Sequence, residues 1–271
     1  MPFRTTEAGT VWSQRRRSEN LIRFVVWLGF LVLFFISWRA ISASTMWVFV
    51  TDAHLQAADI FSRMVPPKWA YVSVLLRPLW DTILIATFGT ALAVVLALPL
   101  AFLAARNTSP ARAASRVPAL VLLVSSRSIN SLAWALLLVT IVGPGVFAGI
   151  LAIAMRSVGF IGKLLYEAIE EIDRRQVEAI RATGASPLQV LRIGILPQVV
   201  PAFVGITVYR WDINIRESTV LGLVGAGGIG LQLQASINIL AWRQVAVVLI
   251  LILTTVVLSE WVTAKVRERV I

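Results

Sequence analysis

The sequence predicts an all-α polytopic membrane protein with six transmembrane helices. Apolar side chains make up 58% of the 271 residues and charged ones 14%, against about 45–50% and about 25% in a soluble domain. The excess is gathered into runs close to the ~20 residues that span a bilayer. The cationic residues concentrate in alternate connections, the pattern of the positive-inside rule. Cysteine is absent, which excludes a disulfide framework and thiolate chemistry.

Residues 1–20 are polar and basic and are expected to form a mobile cytoplasmic tail. Arg15, Arg16 and Arg17 precede an apolar run without a small-residue cleavage site, so the run reads as a span and not a removed signal. That first span covers about residues 21–38, with Trp38 and Arg39 as its interfacial anchor. Residues 42–80 hold Asp52, His54, Asp59, Arg63 and Lys68, and Pro66 with Pro67 breaks any helix. An extracytoplasmic segment with a short amphipathic helix is expected there. His54, the one histidine, reads as incidental and not as a metal ligand.

The second span covers about residues 82–105 and is followed by a basic loop, 106–116, containing Pro110. The third, 117–142, is interrupted by the polar run 125–130. Gly143, Pro144 and Gly145 form a tight turn into the fourth, 146–165, which carries Arg156 and Gly159. The fifth, 198–221, is apolar first and then polar, with Arg210, Asp212, Asn214, Arg216, Glu217 and Ser218. A glycine-rich and then polar stretch, 222–243, leads to the sixth, 244–262, which ends with Lys265, Arg267 and Arg269.

With the N-terminus inside, sixteen of the 25 Lys and Arg residues fall on the cytoplasmic side. Five, Arg39, Arg63, Lys68, Arg77 and Arg243, fall outside. Both termini are then cytoplasmic, and the net charge of +11 needs no nucleic acid to explain it. The chain is expected to divide into residues 1–78, the tail, first span and extracytoplasmic segment, and a core at 79–271.

Between the fourth and fifth spans lies an amphipathic stretch at an aqueous boundary. Leu165, Ile169, Ile172, Val177 and Ile180 recur at helical spacing, with Glu170, Glu171, Asp173, Arg174 and Arg175 on the other positions. Gly184 suits a left-handed cap. Ser186, Pro187 and Gln189 make a capping box with proline at the first helical position. Pro197 and Pro201 are expected to mark the start of the next segment. A helix–turn–helix with Arg181 and Arg192 has the outline of a DNA-reading module, but its mixed charge and membrane-length flanks argue against that.

Glu178, Ala179, Gly184, Leu196 and Pro197 fall at the spacing of the EAA loop of ABC importer permeases, and Pro201 fits its extension. The chain resembles that family. Ile180 stands where a second alanine is usual, and Gly194 where an isoleucine is usual. The runs RSINSLAWALL from Arg127 and YRWDINIRESTVLGLVGAGGIG from Tyr209 narrow the resemblance to the permease subunit of phosphonate-type ABC importers, over residues 79 to 271. Here Asn130 replaces a usual proline, and Arg156 stands near where histidine is expected. The resemblance implies a type I ABC importer permease architecture with a coupling loop near 167–196. It also implies a second permease chain forming a homodimer, a cytoplasmic ABC ATPase dimer and an extracytoplasmic substrate-binding protein. ATP and Mg would be bound by the ATPase, with no cofactor on this chain. Glu178, Ala179, Arg181, Gly184, Leu196 and Pro197 would then couple to the ATPase.

No G-x-x-x-x-G-K-[ST] sequence is present, so ATP hydrolysis is expected from another chain. Gly225, Gly227 and Gly230 match G-x-G-x-x-G, but a polar helix is expected before them in place of the strand a dinucleotide site needs. With Gly228 they are read as a re-entrant turn or gate. Arg127, Arg156, Arg210 and Arg216 fall in or near spans, where a charge costs at least ~2.5–3.5 kcal/mol at the bilayer centre. Two readings stay open for each: internal pairing, or the lining of an anion path. Asp212 can pair with Arg216 along one helix face, and Glu217 with Arg127 or Arg210. An ion-coupled secondary transporter is disfavoured by the lack of an intramembrane carboxylate chain. A membrane enzyme is disfavoured by the lack of catalytic clusters. Phosphite or phosphate are the alternatives to phosphonate as cargo.

Overall fold

The computed structural model describes residues 3–6, 9–12, 17–109 and 113–270; Arg15, Arg16, Pro110 and Arg112 lie outside them. The chain divides into two compact units, residues 1–61 and 62–271.

The first unit opens with an antiparallel hairpin, β1 (Phe3–Thr6) and β2 (Gly9–Trp12), in the register Phe3 opposite Trp12. The sequence reading named no strand in this tail. Strand-favouring Val11 and Trp12 follow Gly9, which pairs with Thr6 at a φ of +121°. Helix α1 (Arg17–Ser44) exposes a continuous apolar series from Phe24 to Leu28. A helix apolar on every face suits lipid and not water. Short helices α2 (Trp47–Thr51) and α3 (Ala53–Met64) follow, the last residues of α3 falling in the second unit. His54 Nδ1 lies 2.9 Å from the Thr51 carbonyl, and no metal-holding group occurs among the described residues.

In the second unit α4 (Val72–Ala104) is the central element. Its buried face repeats every fourth residue: Ile85, Gly89, Ala93, Ala97 and Ala101. Small residues at this spacing let neighbouring helices approach closely. Thr82 to Ala104 rises about 33 Å at 1.5 Å per residue, close to the ~30 Å hydrocarbon layer. The helix begins ten residues earlier, and that extension carries Arg77 and Asp81. Leu75 there packs with Ile229, Val247 and Val248.

The interrupted third span is two helices, α5 (Ala113–Ser128) and α6 (Ser131–Val142), bent by 90°. Asn130 makes the break: extended in backbone, it caps α6 by accepting from Leu132 N–H. The two ends of the pair lie at opposite ends of α4. Near the start of α5, Arg116 Nε donates to the Ala104 carbonyl at one end of α4. Beyond α6, Gly145 and Gly149 meet Gly225 and Ala226 beside Ile85, towards the other end. Counted as one span, the pair raises the candidate spans among the described residues from five to six.

Helix α7 (Val146–Glu170) is the principal partner of α4. The expected continuous amphipathic helix across 165–180 is two pieces, because Asp173 starts α8 (Arg174–Ala182) as its cap. The Asp173 N–H is taken instead by Gln198 Oε1 at 2.9 Å. After the Gly184 turn, α9 (Pro187–Gln189) runs through a π turn (Val190–Ile195) into α10 (Leu196–Leu221). Pro197 is the second residue of α10, at the entry expected of it, and Pro201 lies one turn further in; the π turn joins this helix to α9 without a loop. The wider π turn accommodates a ring that has no N–H to give. Helices α11 (Ile229–Asn238) and α12 (Trp242–Val270) complete the unit.

Candidate functional site

Helix α4 serves as a depth scale for three groups of residues. At Thr82 sits a glycine layer. The Thr82 hydroxyl accepts from Ile229 N–H at 2.8 Å, and Gly225, Gly227 and Gly228 have φ of +86°, +83° and +80°. A Cβ on Gly228 would lie 2.7 Å from Thr82 Oγ1, and one on Gly227 3.0 Å from Val146 N. Gly230 backs directly on the Thr219 carbonyl. Helix α10 and a 3₁₀ turn precede these glycines, so there is no strand for a dinucleotide fold.

Eight residues further along α4, about 12 Å deeper, is a polar cluster. Thr90 accepts from Asn214 Nδ2 at 2.7 Å, and Asn214 also bonds Ser157. Ser157 accepts from Arg210 Nε at 3.0 Å. Arg210, only 2% exposed, lies 5.0 Å over the Phe160 ring and reaches both oxygens of Glu217 at 3.4 Å. Glu217 also receives Arg156 from α7. On another side of α10, Asp212 holds Arg216 and accepts from Ser259, and Arg216 also pairs with Glu260 of α12 at 3.1 Å.

The Asp212–Arg216 and Glu217–Arg210 pairings are thus those the spacing permits. Arg127 is not brought to Glu217. It is exposed at the α5–α6 break, beside Gly159, with no carboxylate partner among the described residues. Glu260, Ser157, Asn214 and Thr90 escaped the sequence reading as site members. Their signal was there: a lone acid in the run TTVVLSEWV, and small polar residues inside apolar spans.

The third group lies at the other end of α4. Glu178, Ala179 and Arg181 are exposed on α8, while Val177 behind them is buried with Leu165, Ile169 and Val190. Gly184 has φ +79°, its N–H donates to the Arg181 carbonyl at 3.0 Å, and open space surrounds its Cα. The capping box is complete: Gln189 N–H donates to Ser186 Oγ, and Ser186 N–H to Gln189 Oε1. Leu196 is half-buried and Pro197 exposed. A cleft of about 260 Å³ beside α8 is lined by Arg106, Arg174, Arg181 and Glu178, among others.

Residues 97–271 match the family model described as the binding-protein-dependent transport system inner membrane component. The chain belongs to that family. The permease is 44% identical over 211 residues to the phosphite transport system permease protein PtxC of Stutzerimonas stutzeri, covering 78% of this chain and 76% of that one. It is 38% identical over 224 residues to the phosphate-import permease protein PhnE of Mycolicibacterium smegmatis, covering 81% of this chain and 42% of that one. In fold it is similar to the MetNI methionine ABC transporter in an inward-facing form. That match has a TM-score of 0.65 at 24% identity, over 75% of this chain and 99% of the other. The all-α polytopic permease architecture expected from the sequence is therefore present.

Two residues that depart from the EAA pattern meet each other in the permease. A Cβ on Gly194 would stand 3.1 Å from Ile180 Cδ1 and 3.7 Å from Val177 Cγ2. The large side chain at 180 fills the space that a large one at 194 would take. Ile180→Ala alone is expected to cost about 1–2 kcal/mol, since Ile180 is half-buried. Gly194→Ile alone is expected to cost about 1–3 kcal/mol by overpacking. The double variant should be at least ~1 kcal/mol more stable than the sum predicts. Thermal denaturation of the purified permease measures the cycle, and strict additivity would refute the exchange.

Proposed function

We propose that this chain is the membrane permease of an ATP-driven importer that moves a phosphonate or a related phosphorus oxyanion across the inner membrane by alternating access. The observation that carries the reading is the surplus of positive charge at mid-span. Among the described residues, Arg127, Arg156, Arg210 and Arg216 face only Asp212, Glu217 and Glu260, which leaves one cation over. Charges at this depth belong against protein or a water-filled path, not lipid. The phosphite and phosphate of the two relatives' names are both tetrahedral phosphorus oxyanions, which supports the same class of cargo here.

Arg216 and Glu260 are 46% and 59% exposed on the surface of a single chain. Exposed charge at mid-span supports a path completed by a second permease chain, an identical copy in the simplest arrangement. A cytoplasmic ATPase dimer carrying ATP and Mg, and an extracytoplasmic binding protein, complete the assembly. Both termini are cytoplasmic, and the coupling residues Glu178, Ala179, Arg181, Gly184, Leu196 and Pro197 face the ATPase. Movement of the coupling helices then rearranges the spans. Gly225, Gly227, Gly228 and Gly230 lie at the extracytoplasmic end of the path as its gate, and residues 79–271 form the transport core. No step involves nucleic acid.

The test is ATP-dependent uptake by the reconstituted complex, challenged with phosphonates, phosphite, phosphate and sulfate, for the natural sequence and for Arg→Gln at 127, 156, 210 and 216. Competition by phosphorus oxyanions over sulfate, with loss of uptake in at least one variant, is the expected result. Normal uptake by all four variants would remove the arginine path. Uptake without ATP would replace the importer with an ion-coupled secondary transporter.

A further inference from the structure

Arg156 and Arg210 share one carboxylate, and they share it unequally. Arg210 is fixed independently of Glu217. Its Nε donates to Ser157, its guanidinium lies over Phe160, and it is 2% exposed. Ser157 is in turn held by Asn214, which reaches Thr90 on α4. Arg156 has no such support. Its one hydrogen-bond partner among the described residues is Glu217, and it is 31% exposed against 15% for Glu217. One arginine is therefore anchored and the other free to turn, with the carboxylate between them.

We propose that Glu217 is the internal counter-anion of the path. In the unloaded permease it occupies the position on Arg156 that a transported oxyanion takes, and by returning there it helps expel the anion. The proposal rests on the oxyanion-importer reading above. Its physical basis is that no charge in the exchange is left alone at low dielectric, where an unpaired ion is most costly. While Arg156 holds the transported anion, Arg210 still neutralises Glu217. When the anion leaves, Glu217 again neutralises Arg156. The charge balance follows. The trio carries +1 when empty and −1 with a dianion bound. Without the carboxylate it carries +2, and a dianion makes it neutral. Glu217 thus keeps the site from becoming a trap. Arg127 adds one positive charge in both states and does not alter the difference. Glu217 acts through Arg156, so it is a positioning residue.

The two side chains should move transport in opposite directions. Uptake of phosphite and methylphosphonate, each dianionic at alkaline pH, is measured with the complete permease–ATPase–binding-protein complex in proteoliposomes. Glu217→Gln is expected to lower the half-saturating concentration and to lower the maximal rate at least ~tenfold, because the anion is held and released slowly. Arg156→Gln is expected to raise the half-saturating concentration at least ~tenfold. Glu217→Asp, which keeps the charge, should restore most of the rate. A Glu217→Gln variant that lost rate with an unchanged half-saturating concentration would show a structural role and overturn the proposal. If that variant does not reach the membrane, Arg156→Gln decides: an unchanged half-saturating concentration overturns the proposal and a raised one supports it. Failure of the unmodified complex to take up either anion would instead overturn the cargo reading. The variants would then be read with whichever anion it carries.

Discussion

Replacing Gly230 by alanine is expected to remove most of the folded permease from the membrane. The Cβ it adds would fall on the Thr219 carbonyl oxygen and stand 3.0 Å from Gly222 Cα. Both obstacles are backbone atoms, which cannot swing away as the tip of a flexible side chain can. Gly222 presents the same problem from the other side: its Cβ would lie 2.6 Å from Gly230 Cα and 2.6 Å from Leu231 N. The 3₁₀ turn after α10 and the start of α11 therefore pack backbone on backbone, beside the Thr82 contact that fixes the glycine layer. Relief requires α11 to move as a body, with Ile229 leaving its place against Leu75 and Val247. Overpacking of this kind costs ~1–3 kcal/mol where side chains can yield, and more where they cannot, against a total stability of about 5–15 kcal/mol. The measurement is the amount of membrane-inserted, detergent-stable permease by size-exclusion chromatography. Gly29→Ala is the control. Nothing lies within 4 Å of the Cβ it would add in α1, so it should accumulate normally. Normal accumulation of Gly230→Ala as well would mean that the close approach is not needed.

The glycine pair illustrates which features a sequence makes legible. Apolar runs, the Asn130 break, the Gly184 turn and the Ser186–Gln189 box are local: each rests on residues within one or two helical turns, so pattern and chemistry suffice. Asp212 with Arg216 is local in the same sense. Contacts between helices are not. That Glu217 would be divided between Arg156 and Arg210 depends on how α7 lies against α10. That Arg216 would find Glu260 depends on α12. That Gly230 would meet Thr219 depends on a chain reversal. The local expectation that failed did so for a tertiary reason. Asp173 ends one amphipathic helix and begins another because Gln198, on a later helix, takes its N–H. Pro197 stands at the head of α10, as its local pattern indicates, although a π turn joins that helix to α9.

Replacing Gly184 by aspartate is expected to abolish uptake while leaving the permease in the membrane, because it costs little in folding and much in coupling. The folding cost is small. With φ at +79° and open space around it, the position asks an aspartate to adopt a left-handed conformation. That costs roughly 1–2 kcal/mol, and aspartate accepts it better than most residues. A carboxylate just after the last turn of α8 adds about 0.3–1 kcal/mol of unfavourable helix-dipole interaction. Neither threatens a fold worth about 5–15 kcal/mol. The coupling cost is larger. Gly184 sits at the tip of the exposed turn between α8 and α9, where the proposed ATPase contact requires the backbone itself to approach its partner. A charged side chain there blocks that approach. A loss of about 3 kcal/mol in docking lowers coupled uptake roughly 100-fold. Membrane content, ATPase co-purification and uptake are measured on the same preparation, with Gly184→Ala carrying the strain without the charge and the longer side chain. Normal membrane content, poor co-purification and absent uptake is the expected set for the aspartate variant, with the alanine variant close to the unmodified chain. Full uptake by Gly184→Asp would place the ATPase contact elsewhere on the cytoplasmic surface. Loss of the protein from the membrane in both variants would make Gly184 a folding residue first.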